Sequence, residues 1–289
     1  MSRNSESERI VTADIIKDYL DSKSDFSLEM KVLSHVNSLD FDTEHGGAYS
    51  DPVTDKSRQF DVRCSKDVTS NSIGREETKL FKLSVECKAI SPEFPLVIQR
   101  VPRSSQESYH EIILSRKPEA GSLNFTGQAW SIRSYASSPI YPTGSFVGKA
   151  CTQIGYKKDK LVSDDREVYE KWAQAIASAY DLITECIQDR DRLQLKTLYA
   201  VVIPVLVIPD NCLWHVDYNE LGNRVAEPEH IDEIDFYIGK NYWKMGLQFD
   251  EYTVSHLKIL TLSGFISFTE RIACDASFTE QSFLPNSFS

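Results

Sequence analysis

Two acidic residues and one lysine lie in neighbouring predicted strands, at positions where their side chains could meet. Within residues 81–88 successive side chains point to opposite faces of a strand, so Glu86 and Lys88 share one face while apolar residues occupy the other. Asp61 lies between Phe60 and Val62 in the preceding extended segment. If the two segments pair as a hairpin, the Asp61 carboxylate approaches that of Glu86.

Two carboxylates with no basic residue predicted between them repel each other, and a hard divalent cation with oxygen ligands relieves that repulsion. We therefore expect Asp61 and Glu86 to bind Mg²⁺, with Mn²⁺ as a substitute. Such an ion can activate water and polarise a phosphoryl oxygen, while Lys88 orients the water or stabilises the transition state. This chemistry suits phosphodiester hydrolysis. Glu-x-Lys alone favours a plainer interpretation, in which alternating charged and apolar residues form a solvated sheet face.

A longer pattern supports the chemical interpretation. The segment 46–61 begins with a Gly-Gly turn and ends in Phe-Asp, and it precedes the Val-Glu-Cys-Lys of residues 85–88. Over roughly residues 26–101 this pattern resembles the PD-(D/E)xK, or restriction-endonuclease-like, nuclease superfamily.

The resemblance implies an αβββαβ core and a set of site residues. It implies that Asp61 and Glu86 are metal ligands, that Lys88 is catalytic, and that Glu29 in the first helix is an auxiliary acid. The chain departs from the pattern at Gln59, where many relatives carry a glutamate. Any contribution from that acidic position is absent here.

The predicted elements follow the order that the resemblance requires. A helix is predicted from residue 25, because apolar residues recur at helical spacing. Strands are predicted at 58–64, 80–88 and 96–98, a long helix opens with a capping box at Asp164 and Glu167, and a buried strand follows at 198–208. We therefore expect an α/β fold with a restriction-endonuclease-like αβββαβ core and a mixed central sheet.

Chain organisation is predicted as a polar N-terminal extension at 1–24, with one marginal helix, followed by a single nuclease-like domain at 25–289. Within that domain the core comprises 25–102 and 164–218. The remaining parts are an insertion at 103–163 and a C-terminal elaboration at 219–289.

Gln174 on the second core helix is a further candidate, because some relatives use a glutamine there. Helical phase places it nearly opposite Ile176, on the side of Lys171, Ser178 and Asp181. That side is predicted to face solvent, so Gln174 is not included in the site.

The net charge of −11 opposes non-specific attraction to nucleic acid, because phosphate binding depends on lysine and arginine. Charge can be segregated, however, and Arg100 and Arg103 follow the third strand. Another group of polar and basic residues could line a nucleic-acid path or form an ordinary exposed loop: Lys149, Gln153, Lys157, Lys158 and Lys160.

Six scattered cysteines without a C-x-x-C pair predict neither a zinc cluster nor a disulfide framework. The polar first ten residues lack the apolar core of a secretory signal, and the longest apolar run is too short to span a bilayer as a helix. We expect a cytoplasmic protein without a membrane partner.

The leading hypothesis is a magnesium-dependent DNA endonuclease in restriction, defence or repair. Two alternatives stay open: a catalytically weak or inactive nuclease-fold scaffold that binds its partner, and an RNA-directed nuclease. A homo-oligomer or a protein partner is also left open.

Overall fold

The structure is a computed structural model that describes residues 10–22, 24–52, 54–69, 77–116, 128–134, 138–164, 166–192, 194–242 and 252–284. Within these residues, helices pack on both faces of a large mixed sheet, so the expected α/β class is confirmed. None of the described helices has the length and apolar character that crossing a membrane would require. All six cysteines are free thiols.

The described helices are α1 (Ala13–Ser22), α2 (Phe26–Ser38), α3 (Arg166–Arg192), α4 (Leu262–Cys274) and α5 (Ala276–Ser282). The described strands are β1 (Asp42–His45), β2 (Ala48–Ser50), β3 (Ser57–Gln59), β4 (Val62–Asp67), β5 (Glu77–Cys87), β6 (Leu96–Pro102), β7 (His110–Arg116), β8 (Gln128–Ser134), β9 (Phe146–Lys157), β10 (Lys160–Asp164), β11 (Thr197–Ile208), β12 (Leu213–Asp217), β13 (Glu229–His230), β14 (Glu233–Tyr242) and β15 (Tyr252–Thr261).

The main sheet runs in the order β1-β4-β5-β11-β15-β14-β9-β6-β12-β13. β4 pairs with β5 in antiparallel fashion, whereas β5 and β15 both run parallel to β11. β7 pairs with β11 and β8, β10 pairs with β9, and β2 and β3 form a separate two-stranded ribbon.

The predicted core elements are present in the expected chain order, as α2, β4, β5, β6, α3 and β11. The third of the strands, β6, does not neighbour β5 but lies between β9 and β12. The segment predicted as an insertion contributes β7 to β10 to the same sheet. A restriction-endonuclease-like arrangement of these elements therefore stays a prediction.

Both faces of β5 are buried. On one face, its apolar residues pack with α2, α4 and α5 in a single core cluster: Phe81, Leu83, Val85 and Cys87. On the other face α3 covers the polar residues. The Lys82 ammonium lies 2.5 Å from Asp189, and the Ser84 hydroxyl donates to the Ala175 carbonyl at 3.1 Å. The solvated sheet face that alternation alone suggests is therefore wrong, because a long amphipathic helix lies over it.

Asp61 lies at a break between β3 and β4, where a continuous strand was predicted. The ring of Phe60 lies against Gly47, where an added Cβ would come within 2.4 Å of it. The Phe60 amide also donates to the Gly47 carbonyl at 3.0 Å. This close packing of Phe60 on Gly47 fixes the end of the β2–β3 ribbon. Asp61 follows it, immediately before β4.

The marginal helix predicted near the N-terminus is present as α1. Its larger apolar side chains are 36% to 54% exposed: Ile15, Ile16, Tyr19 and Leu20. The helix therefore buries little apolar surface.

Candidate functional site

The predicted meeting of Asp61 with Glu86 is confirmed. Val62 pairs with Val85 in the β4–β5 hairpin, so Asp61 reaches the Glu86 end of β5. The Cys87 amide donates to Asp61 Oδ2 at 2.8 Å. Glu86 is completely buried beneath α3. Hairpin register and strand alternation together bring the two carboxylates to one place.

A lysine that the sequence did not single out lies between these carboxylates. Lys171 Nζ donates to Asp61 Oδ2 at 2.7 Å and to Glu86 Oε2 at 3.3 Å. The expectation of two acids with no basic residue between them is therefore wrong. The ammonium comes from the second turn of α3, which packs over this end of β5.

The side of α3 that was predicted to face solvent instead faces the sheet. Arg63 on β4 donates to Ser178 Oγ at 3.0 Å and to Asp181 Oδ2 at 2.9 Å. Gln174 accepts a hydrogen bond from Tyr49 through its backbone carbonyl, at 3.2 Å, and its side chain stays partly exposed.

The signal for this orientation lay in β5 itself. A buried strand face that carries Lys82, Ser84 and Glu86 needs a partner helix with polar side chains. The polar side of α3, with Lys171 at its start, is the side that supplies them.

Lys88 shares the strand face of Glu86, but its ammonium is directed elsewhere. Lys88 Nζ lies 2.8 Å from Glu167 Oε2, in the first turn of α3. Its amide donates to the Val207 carbonyl at 2.9 Å. Lys88 therefore ties the start of α3 to the end of β5, and Lys171 is the ammonium in contact with the carboxylates.

Glu29 projects from the first turn of α2 toward the same site. Burial and the nearby negative charge of Asp61 raise the pKa of Glu29, while His45 and Lys171 act in the opposite direction. His45 Nε2 lies 3.4 Å from the Glu29 carboxylate. We call Glu29, Asp61, Glu86 and Lys171 the Glu86 cluster.

The Glu86 cluster holds more acid than base. Burial and the Asp61 charge raise the pKa of Glu86 to about 8, against the opposing effect of Lys171. Glu86 Oε1 is buried and has no hydrogen-bond partner among the residues that the structure describes. A buried carboxylate oxygen without a partner is costly, so a proton or a cation would stabilise this side chain.

A divalent cation fits the donors of this site in part. Asp61 and Glu86 supply hard carboxylate oxygens, and Glu86 Oε1 is available as an acceptor. Among the residues that the structure describes, however, no group of three or more His, Cys, Asp or Glu side chains is arranged to hold a metal ion. Because Lys171 already contacts both carboxylates, a cation would compete with its ammonium for the oxygens of Asp61 and Glu86.

The other basic and polar residues considered from the sequence divide into two sets. Four are tied to partners: Arg100 to Asp217, Arg103 to Asp235, Lys149 to Glu107, and Gln153 to the Phe94 carbonyl. Lys157, Lys158 and Lys160 are exposed on the β9–β10 hairpin.

Neither a protein-family model, a curated protein nor a solved structure matches this chain. Function must therefore be inferred from the chemistry of the site.

Proposed function

We propose that this protein is a metal-dependent hydrolase of nucleic-acid phosphodiester bonds, with DNA as the expected substrate and the cytoplasm as the expected location. The observation that carries the proposal is the convergence of Asp61 with a fully buried Glu86, one oxygen of which has no partner in the described part of the chain. An acid-rich buried site is costly to maintain for structure alone, whereas cation binding makes use of it. Membership of the restriction-endonuclease-like nucleases is part of this proposal.

Each residue of the Glu86 cluster has a role in the proposal. Asp61 and Glu86 would hold Mg²⁺ or Mn²⁺, which when bound supplies Lewis-acid activation of water and of a phosphoryl oxygen. Glu29 adds negative charge behind Asp61 and favours cation binding. Lys171, rather than Lys88, is the ammonium positioned to stabilise negative charge on the phosphoryl group.

Supercoiled plasmid incubated with Mg²⁺ or Mn²⁺ tests the activity. Wild-type protein should nick or linearise the plasmid, and EDTA should abolish cleavage. Asp61→Asn, Glu86→Gln and Lys171→Met should each reduce the rate at least about a hundredfold, since each removes a ligand or a stabilising charge. Glu220→Gln, at an exposed position, is the matched control. Equal cleavage by Asp61→Asn and the control would refute the site.

Lys88→Met distinguishes the two lysines. If Lys171 is the catalytic ammonium, Lys88→Met should retain most of the activity, because Lys88 contacts Glu167 and not Asp61 or Glu86. A larger loss of cleavage activity in Lys88→Met than in Lys171→Met would mean that Lys88 is the catalytic lysine.

A second candidate function is favoured by the position of Lys171. An ammonium that already bridges Asp61 and Glu86 could serve as a permanent counter-charge, which would leave a nuclease-like scaffold without catalysis. Calorimetric titration with Mn²⁺ separates the two functions. The scaffold predicts no ion binding that depends on Asp61 and Glu86, whereas the hydrolase predicts binding that both substitutions abolish.

A further inference from the structure

The β9–β10 hairpin exposes an aromatic ring beside unpaired lysines. Tyr156 is 76% exposed and lies directly across the hairpin from Leu161, which is 65% exposed. Lys157, Lys158 and Lys160 are exposed at the tip, and none forms an ion pair with any residue in the described part of the chain. An exposed aromatic side chain beside lysines can stack on bases and contact phosphates.

The hairpin tip is a tight turn that brings two lysines of like charge together. Lys158 and Asp159 form a two-residue turn in which both φ angles are positive, at 50° and 61°. This tight turn places Lys157 directly opposite Lys160. Like charges at directly opposed positions destabilise a hairpin. A polyanion bound at the tip would relieve that repulsion.

The hairpin is joined to the Glu86 cluster on two sides. β10 leads directly into α3, whose first turn contacts Lys88 and whose second turn carries Lys171. β10 is about 13 Å long, so Lys160 lies within roughly 20 Å of the start of α3.

The second connection is through the loop that follows Lys88. Gln153 on β9 donates to the Phe94 carbonyl at 2.9 Å, and the Phe94 ring packs so closely on Gly155 that an added Cβ would lie 2.0 Å from it. Lys88 and Phe94 belong to the same short connection between β5 and β6. The hairpin thus packs against the loop that leads from Lys88 to β6.

We propose that the β9–β10 hairpin binds a single strand of nucleic acid and directs it toward the Glu86 cluster, an inference that rests on the proposed function. The lysines neutralise backbone phosphates, and Tyr156 stacks on a base. In a chain of net charge −11, three exposed lysines against one aspartate, Asp159, at the hairpin tip form a local surface complementary to a polyanion. The strand is one strand of the DNA substrate, unpaired where supercoiled plasmid opens, and it is held by its backbone and without sequence readout.

Fluorescence anisotropy with a labelled 20-nucleotide oligothymidine, measured in EDTA, tests the hairpin without any cleavage. The double substitution K157Q/K160Q should raise Kd at least tenfold at 0.1 M salt. It should also reduce the slope of log Kd against log salt by about 1.4, since each single-strand phosphate contact contributes about 0.7. Tyr156→Ala should raise Kd about tenfold, corresponding to the loss of one stacked base.

The matched control is K17Q/K56Q, which removes two exposed lysines from other parts of the chain. If K157Q/K160Q and Tyr156→Ala bind as tightly as this control, the hairpin is not the binding element. A 20-base-pair duplex that binds wild-type protein as tightly as the single strand would overturn the preference for single strands.

The hairpin and the hydrolase proposals fail separately. Binding that depends on the hairpin but is not accompanied by cleavage would refute the hydrolase and leave the hairpin inference supported. Cleavage of plasmid by wild-type protein and by K157Q/K160Q at equal rates, with equal binding, would refute the hairpin alone.

Discussion

The sheet carries a buried charge cluster on each face, and the two clusters differ in balance. The Glu86 cluster lies beneath α3, with one lysine in contact with two carboxylates. On the opposite face, beside α4, is what we call the Lys258 cluster: Arg103, Glu233, Asp235 and Lys258. There the Lys258 ammonium contacts Glu233 and lies 2.6 Å from Asp235 Oδ1, and Arg103 lies 2.6 Å from Asp235 Oδ2.

The pKa values of the two buried acids shift in opposite directions. Burial alone would raise the pKa of Asp235, but Lys258 and Arg103 lower it to about 2. In the Glu86 cluster, burial and Asp61 raise the pKa of Glu86 to about 8 despite Lys171. Both oxygens of Asp235 are paired, whereas Glu86 Oε1 is not.

Under the proposed function, this difference separates a structural cluster from the site that we propose binds a cation. Lys258 and Arg103 match the two acids in charge, and Arg271 also approaches Glu233 at 3.6 Å, so the Lys258 cluster stabilises the packing of β14 and β15 with the segment after β6. The acid excess of the Glu86 cluster is met only by a proton or an added cation. The proposal therefore rests on the unpaired oxygen within an acid-rich cluster, and not on burial of charge alone.

The largest expected loss of stability comes from a substitution in the Lys258 cluster. Lys258→Met should lower the free energy of unfolding by about 3 to 5 kcal/mol, because it removes the fully buried ammonium that contacts both Asp235 and Glu233. Lys171→Met should cost less at pH 7, since Glu86, with its pKa raised to about 8, already holds a proton at that pH. Urea unfolding of both variants at pH 7 measures the difference, and an equal loss would remove the contrast between the clusters.

The stability of the metal-free protein should fall as pH rises. The pKa of Glu86 is raised from 4.5 to about 8 in the folded state, so the folded protein holds a proton that the unfolded chain releases. The resulting stability is complete below pH 4.5 and is lost as pH rises through 8, a change on the order of 3 kcal/mol between pH 5 and pH 8. Urea unfolding in EDTA across this range measures it.

Glu86→Gln provides the control for the pH dependence. The amide does not ionise, so the fall in stability between pH 5 and pH 8 should largely disappear. A pH profile parallel to that of wild-type protein would mean that Glu86 is not the titrating group.

Added Mn²⁺ should stabilise the wild-type fold. At a free ion concentration about a hundredfold above Kd, binding to the folded state alone adds about 2.7 kcal/mol. The gain should vanish in Asp61→Asn and persist in Asp235→Asn, after allowing for the lower starting stability of the latter. Thermal unfolding with and without Mn²⁺ gives the comparison, and equal gains in the two variants would place the ion elsewhere.

The smallest effect is expected at the exposed ion pair beside the Glu86 cluster. Glu167 is 75% exposed, so its contact with Lys88 is largely screened by solvent. Lys88→Met should therefore change the free energy of unfolding by less than about 1 kcal/mol. A loss of unfolding free energy as large as that of Lys171→Met would show that Lys88 belongs to the Glu86 cluster.

Strand periodicity was enough to predict which side chains of β5 share a face, and hairpin pairing was enough to place Asp61 beside Glu86. The bounds of α2, β5, α3 and β11 were also close to those observed, because their apolar patterns are long and regular. These features depend on local order along the chain.

The contacts that the sequence did not reveal are non-local. The approach of Lys171 to the carboxylates depends on how α3 rotates over the sheet, and the helix stripe alone suggested that this side faces solvent. The position of β6 between β9 and β12 depends on pairing with a strand about fifty residues later in the chain. Patterns within one segment do not determine such pairings.

Crystals soaked in Mn²⁺ and measured at a wavelength with strong manganese anomalous scattering test most directly whether the Glu86 cluster binds a cation. We expect an anomalous difference peak in contact with the carboxylates of Asp61 and Glu86, with the Lys171 ammonium displaced from at least one of them. A site without a peak, in which Lys171 still bridges both carboxylates, would contradict it.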